Sequence, residues 1–152
     1  MENTCGCNQP DIMLLACSGG TCEGQLANRA AWELTKEGLG RMFCLTGIGA
    51  HVSGFMQSAK DVAQVVVIDG CDTACARILL ENAGVAVTRH VIVTRLDVKK
   101  PDSVHLDPDD VAAVKHAVRL ACKLPVKKVF DSPSPLSPGD RAKSRQLGGK
   151  CC

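Results

Sequence analysis

Ten cysteines in a chain of 152 residues are the side chains of this sequence with the most chemical potential. Thiols in that number indicate metal binding or thiol chemistry in a reducing compartment, where structural disulfides do not persist. The N-terminus has no basic segment followed by an apolar one, and no apolar run is long enough to span a bilayer. We therefore expect a cytoplasmic protein with no membrane partner.

The composition excludes further classes of partner. The formal net charge is +2 at pH 7, and the charged residues, 22% of the chain, are scattered along it. Nucleic acids are bound by concentrated positive charge, so we do not expect one as a partner. The hydrophobic fraction of 45% suits one soluble domain, and because aromatic residues make up only 3%, aliphatic side chains must fill its core.

Short apolar runs alternate with helical stretches along most of the chain. Each of the first three apolar runs leads into a turn that contains Gly and has a Cys in it or next to it. Val- and Ile-rich runs between helices are typical of a parallel sheet covered on both faces. The sequence therefore predicts a single three-layer α/β domain with a mainly parallel sheet of about four strands. The predicted strands are 12–16, 41–45, 65–68 and 90–94, and the predicted helices are about 24–37, 51–59, 73–83 and one that begins near 107.

The ends of two helices carry recognisable start signals. Asp72 or Thr73 is expected to cap the helix near 73–83. Asp107 followed by Pro108 predicts the start of the last helix, because Pro is favoured at the first helical position. Cys122 ends an apolar stretch of that helix and is expected to be a small buried hydrophobic residue.

The chain is predicted to have three parts. Residues 1–10 form a flexible N-terminal segment with Cys5-Gly6-Cys7, and residues 11–130 form the α/β metal-binding domain. Residues 131–152 are expected to be a disordered Pro/Ser-rich linker and a basic tail that ends in Cys151-Cys152. The thiols at the two ends are either dispensable or positioned to capture a soft metal and pass it inward.

Four cysteines follow the predicted strands at one edge of the sheet. Cys17 lies just past the first strand, Cys44 at the end of the second, and Cys71 just past the third. Cys75 follows Cys71 by four residues, so the two are predicted to share a helix face. Parallel strands all end at the edge where such sheets bind their ligands. If the first three strands are neighbours, the four thiols meet in one place.

Four sulfur ligands at about 2.3 Å are the coordination that zinc prefers. Helix N-termini face the same edge, and their partial positive charge is expected to lower the pKa of the thiols and favour the metal-binding thiolate. Asp69 is expected to cap the turn or to accept a hydrogen bond from outside the ligand set. The sequence therefore predicts a zinc site formed by Cys17, Cys44, Cys71 and Cys75.

Several motifs in order give the chain a family resemblance. They are Cys17-Ser18-Gly19 with Gly24-Gln25-Leu26-Ala27-Asn28, then Cys44-Leu45-Thr46-Gly47-Ile48-Gly49, then Ile68-Asp69-Gly70-Cys71 with Cys75-Ala76. Through these residues the chain resembles the DGC-domain family, whose members are described as zinc-binding and whose name reflects the Asp-Gly-Cys. The resemblance covers roughly residues 12–122 and implies four metal ligands. These fall on Cys17, Cys44, Cys71 and Cys75.

Cys22 departs from the family pattern, in which we expect a small polar residue at this position. It is predicted to open the first helix, where it is a candidate fifth metal ligand or a reactive thiolate. Among the histidines, only His51 lies in a predicted strand-end loop, and a solvated helix start is favoured there over a ligand.

We predict a metal-binding protein with a storage, sensing or delivery role. An iron–sulfur cluster is an alternative, because four Cys thiolates are its usual ligands. A thiol-dependent redox or sulfur-transfer enzyme is less favoured: the chain lacks the CxxC of thioredoxins between Cys17 and Cys22 or between Cys71 and Cys75. A Cys-x5-Arg anion loop would need Arg where the sequence has Glu23.

Overall fold

Four parallel strands form one sheet in the part of the chain that this computed structural model describes, residues 11–99 and 105–123. In chain order, the strands are β1 (Ile12–Ala16), β2 (Arg41–Met42), β3 (Gln64–Asp69) and β4 (Arg89–Ile92). The helices are α1 (Cys22–Lys36), α2 (Leu45–Gly49), α3 (Ser53–Asp61), α4 (Cys75–Asn82) and α5 (Pro108–Lys123), with a short 3-10 turn at Val93–Arg95.

The strand order β2-β1-β3-β4 places the first three strands side by side, as the convergence of the cysteines requires. All three pairings are parallel, and the longest runs from Ile12 opposite Gln64 to Ala16 opposite Ile68. Because side chains alternate across a strand, β1 contributes to two separate hydrophobic clusters. Leu14 packs with α1 and α5 on one face, and Leu15 packs with the helices of the other face. The single three-layer α/β domain is confirmed.

The start of α5 agrees with the sequence prediction. The helix begins at Pro108, and the backbone N–H of Asp109 donates to Oδ1 of Asp107 at 2.9 Å. Half-buried Cys122 packs against the adjacent hydrophobic cluster, and burial raises the pKa of its thiol, as expected of a structural cysteine.

The second strand is shorter than predicted. It ends at Met42, and Cys44 is the N-cap of α2, a helix that the sequence did not predict. The sulfur of Cys44 accepts a hydrogen bond from the N–H of Gly47 at 3.3 Å. Because of this cap, the chain leaves the sheet before Leu45, although the apolar pattern of the sequence predicts a strand over 41–45.

The start of α4 also differs from the prediction, because neither Asp72 nor Thr73 caps it. Ala74 adopts the left-handed conformation at φ 51° and ψ 43°, and its N–H donates to the carbonyl of Cys71 at 3.0 Å. The helix therefore begins only at Cys75. Cys71 lies in the turn before it, so the helix face that we expected Cys71 and Cys75 to share does not form.

Parts of the predicted domain organisation lie outside the described residues. These are the flexible N-terminal segment 1–10 and the Pro/Ser-rich linker and tail 131–152. Within residues 11–99 and 105–123, no helix has the length and apolar character needed to cross a bilayer.

Candidate metal centre

The crevice between the carboxyl ends of β1 and β3 holds the candidate site. In the order β2-β1-β3-β4, the connections from β1 and β3 leave toward opposite sides, which is the switch point where open parallel sheets bind ligands. The N–H of Cys17 donates to the carbonyl of Ile68 at 2.9 Å, extending the ladder by one residue past β1. Cys17 is thereby fixed at the floor of the crevice.

Two thiols meet in this crevice. The Sγ atoms of Cys17 and Cys75 lie 3.4 Å apart, although 58 residues separate them in the chain. Both cysteines are free, and the separation far exceeds the ~2.05 Å of a disulfide bond. Cys17 is buried and Cys75 is exposed, so the pair is anchored in the core and accessible from one side.

The carboxylate of Asp69 completes the one group of potential metal donors found within the described residues. One donor atom each from Cys17, Asp69 and Cys75 lie within 4.8 Å of one another. Asp69 is fully buried, and its Oδ1 is 4.0 Å from the Cys75 sulfur.

The hydrogen bonds of Asp69 show what its carboxylate does. Oδ1 accepts from the N–H of Ala76 at 2.9 Å, and Oδ2 accepts from the N–H of Arg77 at 3.1 Å. Oδ2 also lies 2.9 Å from Nε2 of His90 on β4. These contacts use most of the acceptor capacity of the carboxylate, so Asp69 caps α4 and orients Cys75. The sequence predicts that Asp69 caps the turn, whereas its carboxylate caps the helix that follows.

Glycine residues let backbone segments approach closely beside the crevice. A methyl group on Gly70 would lie 2.6 Å from the backbone nitrogen of Gly24, and one on Gly24 would lie 2.9 Å from the nitrogen of Gly19. The first turn of α1 thus packs directly against Gly70 after β3 and against Gly19 in the loop after β1. The glycine of the Asp-Gly-Cys motif is required here because any side chain would push the first turn of α1 away from the segment that leads from β3 to Cys75.

The thiol of Cys75 does not have the lowered pKa that the sequence led us to expect. The pKa of Cys75 rises from an ordinary 9.0 to about 11, first because of burial and then because of the adjacent Cys17 thiol and the charge of Asp69. The carboxylate that caps α4 neutralises the helix end that was expected to favour a thiolate. Metal-free Cys75 is therefore a protonated thiol near neutral pH.

Cys44 and Cys71 stand apart from this group of donors. Cys44 is exposed, with its sulfur engaged in the α2 cap, and half-buried Cys71 lies in the turn before α4. Both follow strands that flank or form the crevice, as expected from their positions in the sequence.

Cys22 is the first residue of α1 and packs against the hydrophobic cluster on the α1/α5 face, whereas Cys17 belongs to the cluster on the other face. Burial, followed by the charges of Glu23 and Asp110, raises the pKa of Cys22. This raised pKa does not favour the reactive thiolate that the sequence suggests at this position.

The donor set fits a thiophilic ion. Sulfurs bound at about 2.3 Å in a tetrahedron lie about 3.8 Å apart, close to the 3.4 Å between Cys17 and Cys75. A small movement of the exposed Cys75 side chain would accommodate an ion between the two sulfurs. The described residues therefore include a cysteine and aspartate cluster that can bind a metal.

His90, the first residue of the predicted fourth strand 90–94, is the residue of this site that sequence reasoning passed over. The register pairs it with Val67, two residues before Asp69 on the same strand. Side chains two apart share a face of a sheet, so His90 and Asp69 meet on one face. Only the strand register reveals this, and the sequence does not contain it.

Comparisons with known proteins give a family match and a similar protein. The family model of the DGC domain matches residues 13–118. A relative from Pseudomonas aeruginosa, the anaerobic and virulence modulator AnvM, is 30% identical over 93 residues, which are 61% of this chain and 71% of the relative. No solved structure matches the chain significantly.

Proposed function

This chain belongs to the DGC-domain family, and from that membership together with its paired thiols we propose that it binds zinc at the carboxyl edge of the sheet. The observation that carries the proposal is the 3.4 Å separation of the Cys17 and Cys75 sulfurs at the switch point of the sheet. Two soft donors at one point, reached from distant parts of the chain, favour a soft or borderline ion over Mg²⁺ or Ca²⁺.

The proposed ligand set has a fixed part and an adjustable part. Cys17 and Cys75 form the fixed part, because the ladder extension holds one and the α4 cap holds the other. Cys71, four residues before Cys75 in an exposed turn, is the third protein ligand. Cys44 is the fourth candidate, and its exposed position suits a thiol that exchanges on and off the metal. Cys22 packs on the opposite face and is no longer favoured as a fifth ligand.

The family relative favours a sensing or regulatory role over storage. AnvM is named as a modulator, and the accessible side of the Cys75 thiol suits a site whose metal is exchanged. Metal bound by segments from separate loops would tie those loops together, so that occupancy changes their stability and their surface.

A nucleophilic thiol enzyme is the weaker alternative. A catalytic cysteine works as a thiolate with a lowered pKa, whereas the pKa values of both Cys75 and Cys22 are raised. An iron–sulfur cluster uses the same ligand type as zinc, and metal analysis separates the two.

The deciding experiment is elemental analysis of the anaerobically purified full chain, for the wild type and the Cys→Ser variants at positions 17, 75, 71 and 44. We expect about one zinc per chain in the wild type, none in Cys17→Ser or Cys75→Ser, and a partial loss in Cys71→Ser. Cys122→Ser is the matched control, because Cys122 is a half-buried free thiol on α5 and should leave the metal content unchanged. If the analysis finds iron with acid-labile sulfide, the site holds an iron–sulfur cluster instead of zinc. If it finds no metal in the wild type, the proposal is refuted.

A further inference from the structure

The thiol pair of Cys17 and Cys75 can carry a second chemistry besides metal binding. The two Sγ atoms lie 3.4 Å apart, in van der Waals contact and between two bonding geometries. A disulfide would bring them to about 2.05 Å, and a shared tetrahedral ion would hold them about 3.8 Å apart. A small displacement of one side chain therefore leads from the metal-free pair to either state.

The fold assembles the two sulfurs before any bond forms between them. The N–H of Cys17 extends the ladder to the carbonyl of Ile68, and the carboxylate of Asp69 caps the helix that begins at Cys75. The two cysteines are 58 positions apart in the chain, so they meet only in the folded protein. Each thiol is thus held at the high effective concentration that favours reaction with the other.

The two thiols differ in their access to a dissolved oxidant. Cys75 is exposed, whereas Cys17 is buried. An oxidant therefore reaches Cys75 first, and Cys17 lies in position to attack the oxidised sulfur. The raised pKa of Cys75 keeps its thiolate scarce, so the first step is slow near neutral pH.

The buried carboxylate of Asp69 restricts which forms of the pair are stable. Its Oδ1 lies 4.0 Å from the Cys75 sulfur, and its charge disfavours a further negative charge there. A bound cation compensates the charge of the thiolates, and a disulfide carries no charge. Because a sulfur in a disulfide is no longer a thiolate ligand, these two forms exclude each other.

We propose that Cys17 and Cys75 form a reversible disulfide when the chain meets a hydroperoxide, and that this bond expels the metal. This inference rests on the proposed metal-binding function and adds its regulation. The bond removes both members of the fixed part of the ligand set, so the site holds metal when reduced and releases it when oxidised. A dithiol reductant restores the pair by thiol–disulfide exchange.

The reaction with hydrogen peroxide has two steps. The Cys75 thiolate attacks one peroxide oxygen, the O–O bond breaks, and the products are a sulfenic acid and, after protonation, water. The Cys17 sulfur then attacks the Cys75 sulfur, the S–O bond breaks, and a second water leaves. Two thiols and one peroxide thus give one disulfide and two waters. From the zinc-bound thiolates, solvent supplies the two protons and Zn²⁺ is released.

The bond is tested in the full chain, freed of metal by a chelator and treated with hydrogen peroxide. Trypsin cuts after Arg and Lys, so Cys17 falls on peptide 1–29 and Cys75 on peptide 61–77. We expect mass spectrometry of the non-reduced digest to find these two peptides linked, and dithiothreitol to separate them. Two unlinked peptides, or a disulfide formed only within 61–77, would overturn the proposal.

Matched variants assign the link to one pair of sulfurs. Both Cys17→Ser and Cys75→Ser should abolish it, and the exposed position of Cys75 makes its variant the one that leaves the core intact. Cys22→Ser is the control on peptide 1–29 and Cys71→Ser the control on peptide 61–77, and in the metal-free chain both should keep the link. A link that survives in either variant of the pair, or disappears in either control, joins other sulfurs and contradicts the proposal.

The metal gives a second readout and separates the two proposals. Peroxide treatment of the zinc-loaded chain should release one Zn²⁺ for each link formed, as measured with a chromophoric chelator. Zinc that stays bound while Cys17 and Cys75 become linked would show that the two states do not exclude each other, and the inference would be wrong. A chain that binds zinc but forms no link also refutes only this inference. A reduced chain that takes up no zinc refutes the metal-binding function itself.

Discussion

Nε2 of His90 lies 2.9 Å from Oδ2 of Asp69, and this contact joins β4 to the carboxylate that caps α4. The side chain of Asp69 is 1% exposed, so the carboxylate has no solvent to replace a lost partner. The same carboxylate holds the first turn of the helix that carries Cys75. His90 is thus linked to the thiol pair through one buried group, without touching either sulfur.

His90→Ala should lower the free energy of unfolding of the metal-free protein by about 1–3 kcal/mol, because it removes one of the hydrogen-bond partners of a buried carboxylate. Urea denaturation followed by circular dichroism measures the change. His90→Gln can still donate a hydrogen bond and should recover part of the loss. A His90→Ala variant as stable as the wild type would show that the contact contributes nothing.

The strand pattern of this chain could be predicted from sequence, and the loops that form the site could not. Ile12–Ala16 matches the predicted first strand, and Pro108 begins the last helix as its capping signal indicates. These features depend on local patterns of a few residues. The general position of the cysteines at one sheet edge followed from the same patterns.

The choice of which thiols meet depends on contacts between distant segments. The left-handed Ala74 delays α4 until Cys75, which removes Cys71 from the helix and leaves Cys75 beside Cys17. The alanine at position 74 does not signal a left-handed turn, because Gly or Asn usually occupies that conformation. The raised pKa of the Cys75 thiol likewise follows from burial, from the adjacent Cys17 thiol and from Asp69, which only the folded structure brings together.

Gly70→Ala should lower the free energy of unfolding by about 1–3 kcal/mol, because its methyl group would lie 2.6 Å from the backbone nitrogen of Gly24. It should also weaken metal binding, since the first turn of α1 and the segment that leads from β3 to Cys75 must move apart beside the site. Gly20→Ala is the matched control: a methyl group there meets nothing within 4 Å. Thermal unfolding and metal titration of both variants measure the difference, and similar behaviour of the two would disprove the role of the close approach.

Substitutions at Ala74 test the left-handed turn before α4. An L-residue in this conformation carries about 1–2 kcal/mol of strain, which Gly avoids at an entropic cost of about 0.5–1 kcal/mol. Ala74→Gly should therefore raise the free energy of unfolding slightly, by up to about 1 kcal/mol. Ala74→Val should lower it, because a β-branched side chain is disfavoured at φ 51°. Chemical denaturation of the pair measures this order, and the reverse order would show that the turn is not left-handed.

Metal removal should destabilise the protein. An ion that binds only the folded state adds about 2.7 kcal/mol when free metal is 100 times its dissociation constant, which for a chain of this size corresponds to about 5–10 °C in Tm. Differential scanning calorimetry before and after treatment with a chelator measures the shift. The Cys17→Ser/Cys75→Ser double variant should show none. An unchanged Tm in the wild type, after metal analysis proves removal, contradicts a site that ties the loops together.

Zinc affinity should rise with pH across the neutral range. The pKa of the Cys75 thiol is raised from 9.0 to about 11, so near pH 7 the metal-free protein holds this proton and must release it on binding. Each displaced proton makes the affinity up to about tenfold higher per pH unit. Competition with a chromophoric chelator from about pH 6.5 to 8.5, corrected for the protonation of the chelator itself, gives the slope. A flat profile would show that Cys75 does not bind as a thiolate.

The same raised pKa predicts how the metal-free protein responds to alkali. Folding favours the protonated thiol of Cys75, so its contribution to stability is fully present below the unfolded pKa of 9.0 and is lost as the pH rises through about 11. Urea denaturation midpoints should therefore fall over that range more steeply in the wild type than in Cys75→Ser, which has no titrating group at this position. Parallel profiles for the two proteins would mean that the environment of Cys75 does not oppose its ionisation.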